Sequence, residues 1–198
     1  MRFTKPALLC PLLLSLSSFQ LLSAEQPKAD ELVGEKYIGF HGITTNTDDD
    51  RLFTLDPNSS LDSASGFGAE FGYRVSADYE ARLSATNFNI DAEQNNYDIA
   101  DGSSIALDLL YFPYQQSFYT VIGANFLDLG KSNLSGDLGA GFRHYVSDRA
   151  ALYVEGKGHY QFDDNYLDFS ARIGFMYFFD KKAPQVASSQ PAPAAVAS

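Results

Sequence analysis

From Lys36 to Phe179 apolar and polar residues alternate again and again with a period of two, which is the signature of half-buried strands and not of helices. Successive side chains of a strand point to opposite faces, so each such segment has one greasy face and one polar face. The stretch 66–75 sets Phe67, Ala69, Phe71, Tyr73 and Val75 against Gly68, Glu70, Gly72 and Arg74. The last segment is equally regular: Leu167, Phe169, Ala171, Ile173, Phe175, Tyr177 and Phe179 oppose Asp168, Ser170, Arg172, Gly174, Met176 and Phe178. The same alternation predicts strands near 79–88, with Leu83 opposing Glu80 and Arg82, near 103–112, with Leu107 and Leu109 opposing Asp108, and near 118–126, with Phe118, Ile122 and Phe126 on the apolar face. Two more lie near 134–146, with Leu138 and Phe142 against Asp137 and Arg143, and near 150–160, with Leu152 and Val154 against Glu155, Lys157 and His159. Segment 36–44 makes a first strand, with Ile38 and Phe40 as its preferred outer pair, for a total of eight.

Connection lengths give the topology. Short turns fall at 76–78, 113–117 and 147–148, while longer or very polar connections fall at 46–65, 89–102, 128–132 and 162–165. Short and long connections on opposite ends belong to an up-and-down antiparallel meander with one elaborated rim. The expected fold is therefore all-β, a closed eight-stranded antiparallel transmembrane barrel with both termini on the short-turn side. A length of 198 residues suits one such domain, and 15 Gly with 14% aromatics suit strands and turns better than a helical bundle.

Alternation alone leaves open whether the apolar face points inward, as in a soluble lipocalin-like binder, or outward against lipid. The polar face favours the second arrangement. It carries Glu70, Arg74, Glu80, Arg82, Asp108, Asp137, Arg143, Glu155, Lys157, Asp168 and Arg172, a two-signed set able to fill a narrow lumen as ion pairs. On a lipid-facing surface each Arg or Lys near the midplane would cost about 2–4 kcal/mol. Tyr37, Tyr73, Tyr79, Tyr111, Phe118, Tyr177 and Phe179 gather at the short-turn strand ends, where an interfacial girdle of aromatics is expected. Pairing of the first and last strands would leave no open edge, as hydrocarbon requires.

The chain begins with a secretory leader pattern. Arg2 and Lys5 are followed by an apolar run over 7–14 that Pro11 and the following serines keep too short to span a bilayer, and cleavage is expected after Ala24. Cys10, the one cysteine, lies in that leader, so no disulfide is expected. The domain plan is then 1–24 leader, 25–35 a short lead-in, 36–179 barrel, and 180–198 a flexible Pro/Ala-rich periplasmic linker.

Three stretches resemble the eight-stranded barrel domain of the outer-membrane protein A/OprF family. They are Gly68-Ala69-Glu70-Phe71-Gly72-Tyr73, Leu107-Asp108-Leu109-Leu110-Tyr111-Phe112, and Gly139-Ala140-Gly141-Phe142-Arg143-His144-Tyr145-Val146-Ser147-Asp148, with the closing strand and Pro/Ala tail adding to them. The resemblance covers roughly 36–190 and implies a Gram-negative outer membrane, a luminal charge network with Glu70 and Arg143 among its members, and a periplasmic hinge. Larger members carry a peptidoglycan-binding domain after such a hinge; wall anchoring is not carried over to this chain.

The expected function is that of a non-enzymatic outer-membrane barrel, a monomer among outer-membrane lipid and lipopolysaccharide, contributing to envelope structure and surface interactions. No cofactor or metal is expected. A formal net charge of −11 disfavours nucleic acid as a partner. Enzymatic action on lipid would need an organised nucleophile, base and acid, and spacing pairs none of His41, His144 and His159 with a serine and an acid. A small gated channel is the alternative class, disfavoured by a lumen filled with side chains. The acidic run Thr47-Asp48-Asp49-Asp50-Arg51 and the pair Asp163-Asp164 offer carboxylates to hard cations bridging lipopolysaccharide, but lack the ligand spacing of a calcium loop.

Overall fold

The computed structural model describes residues 27–47, 52–53, 56–92, 101–114, 117–128, 132–163 and 165–179. The expected leader, the acidic run after Thr47, Asp164 and the C-terminal linker lie outside them. A single helical turn, α1 (Ala29–Leu32), precedes nine strands: β1 (Lys36–Asn46), β2 (Leu52–Phe53), β3 (Asp56–Arg74), β4 (Tyr79–Ala92), β5 (Asp101–Tyr111), β6 (Phe118–Asp128), β7 (Ser132–Ser147), β8 (Ala150–Gln161) and β9 (Leu167–Phe178). Eight long strands, β1 and β3 to β9, form a closed antiparallel meander. Each pairs with its neighbour in sequence, and β1 pairs with both β3 and β9 to complete the ring. The two-residue β2 only folds back on the start of β3.

The register fixes the size of the cylinder. Followed once round the ring through directly opposed residues, Lys36 leads by way of Tyr73, Ala81, Leu109, Ile122, Leu138, Gly158 and Phe169 back to β1 at Asn46, a stagger of ten residues. With a rise of about 3.3 Å per residue and about 4.8 Å between strands, that stagger over eight strands tilts them by about 41° and places the backbone about 8 Å from the axis. Such a cylinder has room inside for side chains and little else. Each residue climbs about 2.5 Å along the axis at that tilt, so the outward run from Leu167 to Phe179 covers about 30 Å, enough to cross a hydrocarbon core.

Burial shows which solvent each face is built for. Phe67 is 76% exposed, Leu138 69% and Ile122 61%, whereas Arg82 and Arg143 are fully buried. Ile38 and Phe40 face outward, as preferred from the sequence. Among the strand residues whose side chains are described, no Asp, Glu, Lys or Arg faces outward except at strand ends, where Lys36 and Asp128 sit. No described helix is long and apolar enough to cross a membrane, so any crossing is made by these strands.

The short-turn end of the lumen is packed with apolar and aromatic side chains. Leu32 of α1 joins Tyr37, Tyr145, Ala151, Tyr153, Met176 and Phe178 in one cluster, and Leu110, Phe112, Tyr119 and Val121 form a second. The segment after α1 turns back under the wall: Gly34 N–H donates to Arg74 O at 2.9 Å, and Arg74 N–H donates to Glu35 O at 2.9 Å. Gly34 takes φ 87°, a conformation glycine adopts without a side-chain penalty, which lets the lead-in reverse direction there.

Candidate functional site

The polar faces of eight strands meet in the lumen. The buried strand positions carry five cations, Arg74, Arg82, Arg143, Lys157 and Arg172, and six carboxylates, Glu70, Glu80, Asp108, Asp137, Glu155 and Asp168. Near balance is what burial demands, because an unmatched buried ion costs several kcal/mol even after relaxation.

Two groups of ion pairs strut the barrel from wall to wall. Towards the short turns, Arg143 on β7 donates to both oxygens of Glu80 on β4, Nη1 to Oε2 at 2.9 Å and Nη2 to Oε1 at 2.6 Å. Tyr37 Oη donates to the same carboxylate at 2.8 Å, and Arg74 Nη1 stands 3.5 Å away. Arg74 also donates to the carbonyls of Ser76 and Ala77, and its guanidinium lies 3.8 Å from the Phe112 ring centroid. The apolar layer thus stacks on cations, a favourable contact with ring faces.

Further along the axis Arg82 is the hub. Its Nε and Nη2 donate to Asp108 Oδ2 at 3.1 and 2.9 Å, and Nη2 reaches both oxygens of Glu155 at 2.8 Å. Lys157 Nζ donates to Asp108 at 2.7 Å, Tyr119 Oη to Glu155 at 2.9 Å, and Tyr153 Oη to Glu70 at 2.8 Å. Arg172 Nη1 lies 3.7 Å from Glu70 and 3.9 Å from Glu155. β4 and β8 are four places apart in an eight-strand ring, so the Arg82 to Glu155 contact ties opposite walls. At the loop end Gln161 donates to Asp168 at 2.8 Å and receives Asn133 at 2.8 Å.

The structure therefore brings together the ten luminal residues singled out from the sequence: Glu70, Arg74, Glu80, Arg82, Asp108, Arg143, Glu155, Lys157, Asp168 and Arg172. Of the seven aromatics expected in the girdle, Tyr73, Tyr79, Tyr111, Phe118, Tyr177 and Phe179 face outward. Tyr37 does not. It is fully buried in the lumen against Phe178, because Ile38 and Phe40 cannot both face out unless the odd-numbered residues of β1 face in. Alternation discriminates better here than nearness to a strand end.

Luminal glycines seat the large side chains. Gly72 lies directly across from Tyr37, Gly141 from Tyr119, Gly174 from Tyr153 and Gly123 from Asp108. At each of these glycines a Cβ would overlap the side chain opposite. The glycine clears the pleat so that a ring or carboxylate can lie flat across the neighbouring strand, a reason that a sequence without register does not reveal.

Spacing pairs no histidine with a serine and an acid, yet the fold does so at His159. Its Nδ1 is 2.8 Å from Asp137 Oδ1 and its Nε2 is 2.7 Å from Ser170 Oγ. His41 has Thr86 Oγ1 at 2.9 Å and Glu70 at 3.6 Å, and His144 faces outward on β7. No cluster of three or more candidate metal ligands occurs among the described residues.

Comparison with solved structures reaches the same architecture. OprG from Pseudomonas aeruginosa superposes with a TM-score of 0.53 at 17% identity, covering 77% of this chain and 99% of that one. The N-terminal β-barrel domain of OprF from the same organism gives 0.51 at 15% identity, over 74% and 99%. The fold is that of the small outer-membrane barrels. Ail, the attachment invasion locus protein of Yersinia pestis, is a third, with a TM-score of 0.51 at 18% identity over 74% and 99%. No protein-family profile matches the chain, and no curated protein is similar to it in sequence.

Proposed function

We propose that the chain is a monomeric barrel of a Gram-negative outer membrane, contributing to envelope structure and surface interactions, with its termini in the periplasm and its long-connection rim outside. The observation that carries this reading is the inverted polarity of the cylinder: ion pairs buried inside and an apolar band outside, the reverse of a soluble barrel. The role is non-enzymatic at the lipid-facing surface, because a nucleophile there would find no acid partner among the described mid-strand residues. Diffusion through the lumen is disfavoured by the apolar layer closing the short-turn end. In planar bilayers the protein is expected to show no sustained openings; openings altered by Glu70→Ala or Arg143→Ala would favour a gated channel instead.

The test is fractionation with heat-modifiable gel migration. A closed barrel resists unfolding in detergent at room temperature, so protein recovered from outer membranes should shift in mobility on boiling. Recovery in the soluble periplasmic fraction with no shift would overturn the reading in favour of a lipocalin-like binder.

A further inference from the structure

Beyond that envelope role, we propose that Ser170 is an activated nucleophile in the loop-side lumen, with His159 as its base and Asp137 as the residue orienting that base, competent to cleave short-chain carboxylic esters. Three consecutive strands build the arrangement. Asp137 on β7 is directly opposed to His159 on β8, and Ser170 on β9 lies diagonal to His159, being two residues beyond its opposed partner Asp168. Direct and diagonal neighbours on one face of a sheet are within side-chain reach.

Hydrogen-bond chemistry sets the direction of the chain. An ionised carboxylate can only accept, so at 2.8 Å from Asp137 the His159 Nδ1 carries the proton and donates it. In the neutral ring Nε2 is then the acceptor, and Ser170 Oγ at 2.7 Å donates to it. That is the polarity of a serine nucleophile with its general base. Asp137 is itself held by Ser135 Oγ, which donates to it at 3.1 Å, and by Lys157 Nζ at 3.7 Å. A surplus donor stands on the same face. Arg172, two residues along β9, has its Nε buried without a hydrogen-bond partner among the described residues, and Lys157 is directly opposed to Ser170. Lys157 Nζ is taken up by Asp108 at 2.7 Å, so Arg172 Nε is the donor left over for an oxyanion on this face.

Whereas tyrosines and arginines fill the short-turn half, the loop-side half of the lumen is lined by the small Thr45, Ala64, Thr86 and Ser104 beside the larger Phe88 and Gln161. With the short-turn end packed shut, a substrate enters from the loop side, past the Gln161 and Asp168 pair two residues nearer that rim, and must be small. In the reaction the Ser170 oxygen bonds to the carbonyl carbon as its proton passes to His159 Nε2. The C–O bond to the alcohol then breaks and His159 returns the proton to the departing oxygen. Water attacks the acyl-serine with His159 again taking the proton, which releases the carboxylic acid and restores Ser170.

The test is labelling of the folded full chain with an alkyl fluorophosphonate, in which an Oγ–P bond forms, the P–F bond breaks and fluoride leaves, while release of nitrophenol from 4-nitrophenyl acetate is followed in parallel. One adduct per chain is expected, located on Ser170 by peptide mass spectrometry and absent in Ser170→Ala. His159→Gln should slow labelling and ester cleavage by 100-fold or more, and Asp137→Asn by 10-fold or more, in protein that still shows the heat-dependent mobility shift. Folded wild-type protein that gains no adduct on Ser170, or labels no faster than His159→Gln, overturns the proposal. Should the His159 variant not fold, equal labelling of Ser170 and the buried Ser84 and Ser104 in the wild type overturns it as well. Barrel folding is read separately by the mobility shift, so failure here leaves the envelope role standing.

Discussion

Removing one charge from the short-turn group gives the sharpest energetic test. Glu80 accepts three hydrogen bonds, two from Arg143 and one from Tyr37, with Arg74 at 3.5 Å, and Glu80, Arg143 and Tyr37 are all fully buried. Glu80→Gln keeps the volume but replaces one acceptor oxygen with an amide donor that must face donors already there, and it leaves Arg143 without its carboxylate. Breaking a buried pair from one side costs about 3–5 kcal/mol. With an m-value of about 2 kcal/mol/M in urea, the unfolding midpoint of the micelle-embedded barrel should fall by roughly 2 M. The assay is urea titration followed by tyrosine fluorescence and by gel mobility. The exposed Asp163→Asn serves as control and should stay within about 0.5 kcal/mol of wild type. Adding Arg143→Met to Glu80→Gln should recover much of the loss, since it removes the guanidinium that Glu80→Gln leaves buried without its carboxylate. An unchanged midpoint in Glu80→Gln, or a double variant as unstable as the sum of the singles, would refute the account of the strut.

Gly141→Ala should destabilise the barrel by about 1–3 kcal/mol, because its Cβ would enter the Tyr119 ring, while Gly156→Ala, whose nearest neighbour would be Ser170 O at 3.9 Å, should be close to neutral in the same titration. Ile122→Arg places a charge in the middle of the apolar band and should cost about 2–4 kcal/mol of folding stability in bilayers, against about 0–1 for Phe179→Arg just past the end of β9.

Face assignment was legible wherever both faces carried contrasting residues, as on β3 over 66–74 and on β9, because a period of two leaves only one way to hide Glu70, Arg74, Asp168 and Arg172 together. Strand length was less legible. The stretch 56–65 is rich in Ser, Asp, Pro and Asn and reads as loop, yet β3 begins at Asp56 and pairs with β1 as far as Ser63 opposite Asn46. Main-chain pairing does not require apolar side chains once a strand leaves the hydrocarbon region, so composition marks the band and not the strand. The Asp137, His159 and Ser170 arrangement was hidden for a different reason. Its members are 22 and 11 residues apart, and only the registers of β7 on β8 and β8 on β9 bring them side by side. The same registers explain why glycines punctuate the polar faces.

The central claim, apolar side chains outward to lipid and ionised ones inward, is tested most directly by nitroxide scanning of single-cysteine variants along β6, from 120 to 126, in lipid vesicles. The expected leader holds the chain's only cysteine, so the background is clean. Labels at 120, 122, 124 and 126 should collide readily with oxygen and hardly at all with a water-soluble nickel chelate, while labels at 121, 123 and 125 should be shielded from oxygen. Oxygen accessibility that peaks at the odd positions, or nickel accessibility at 122 and 124, would contradict it.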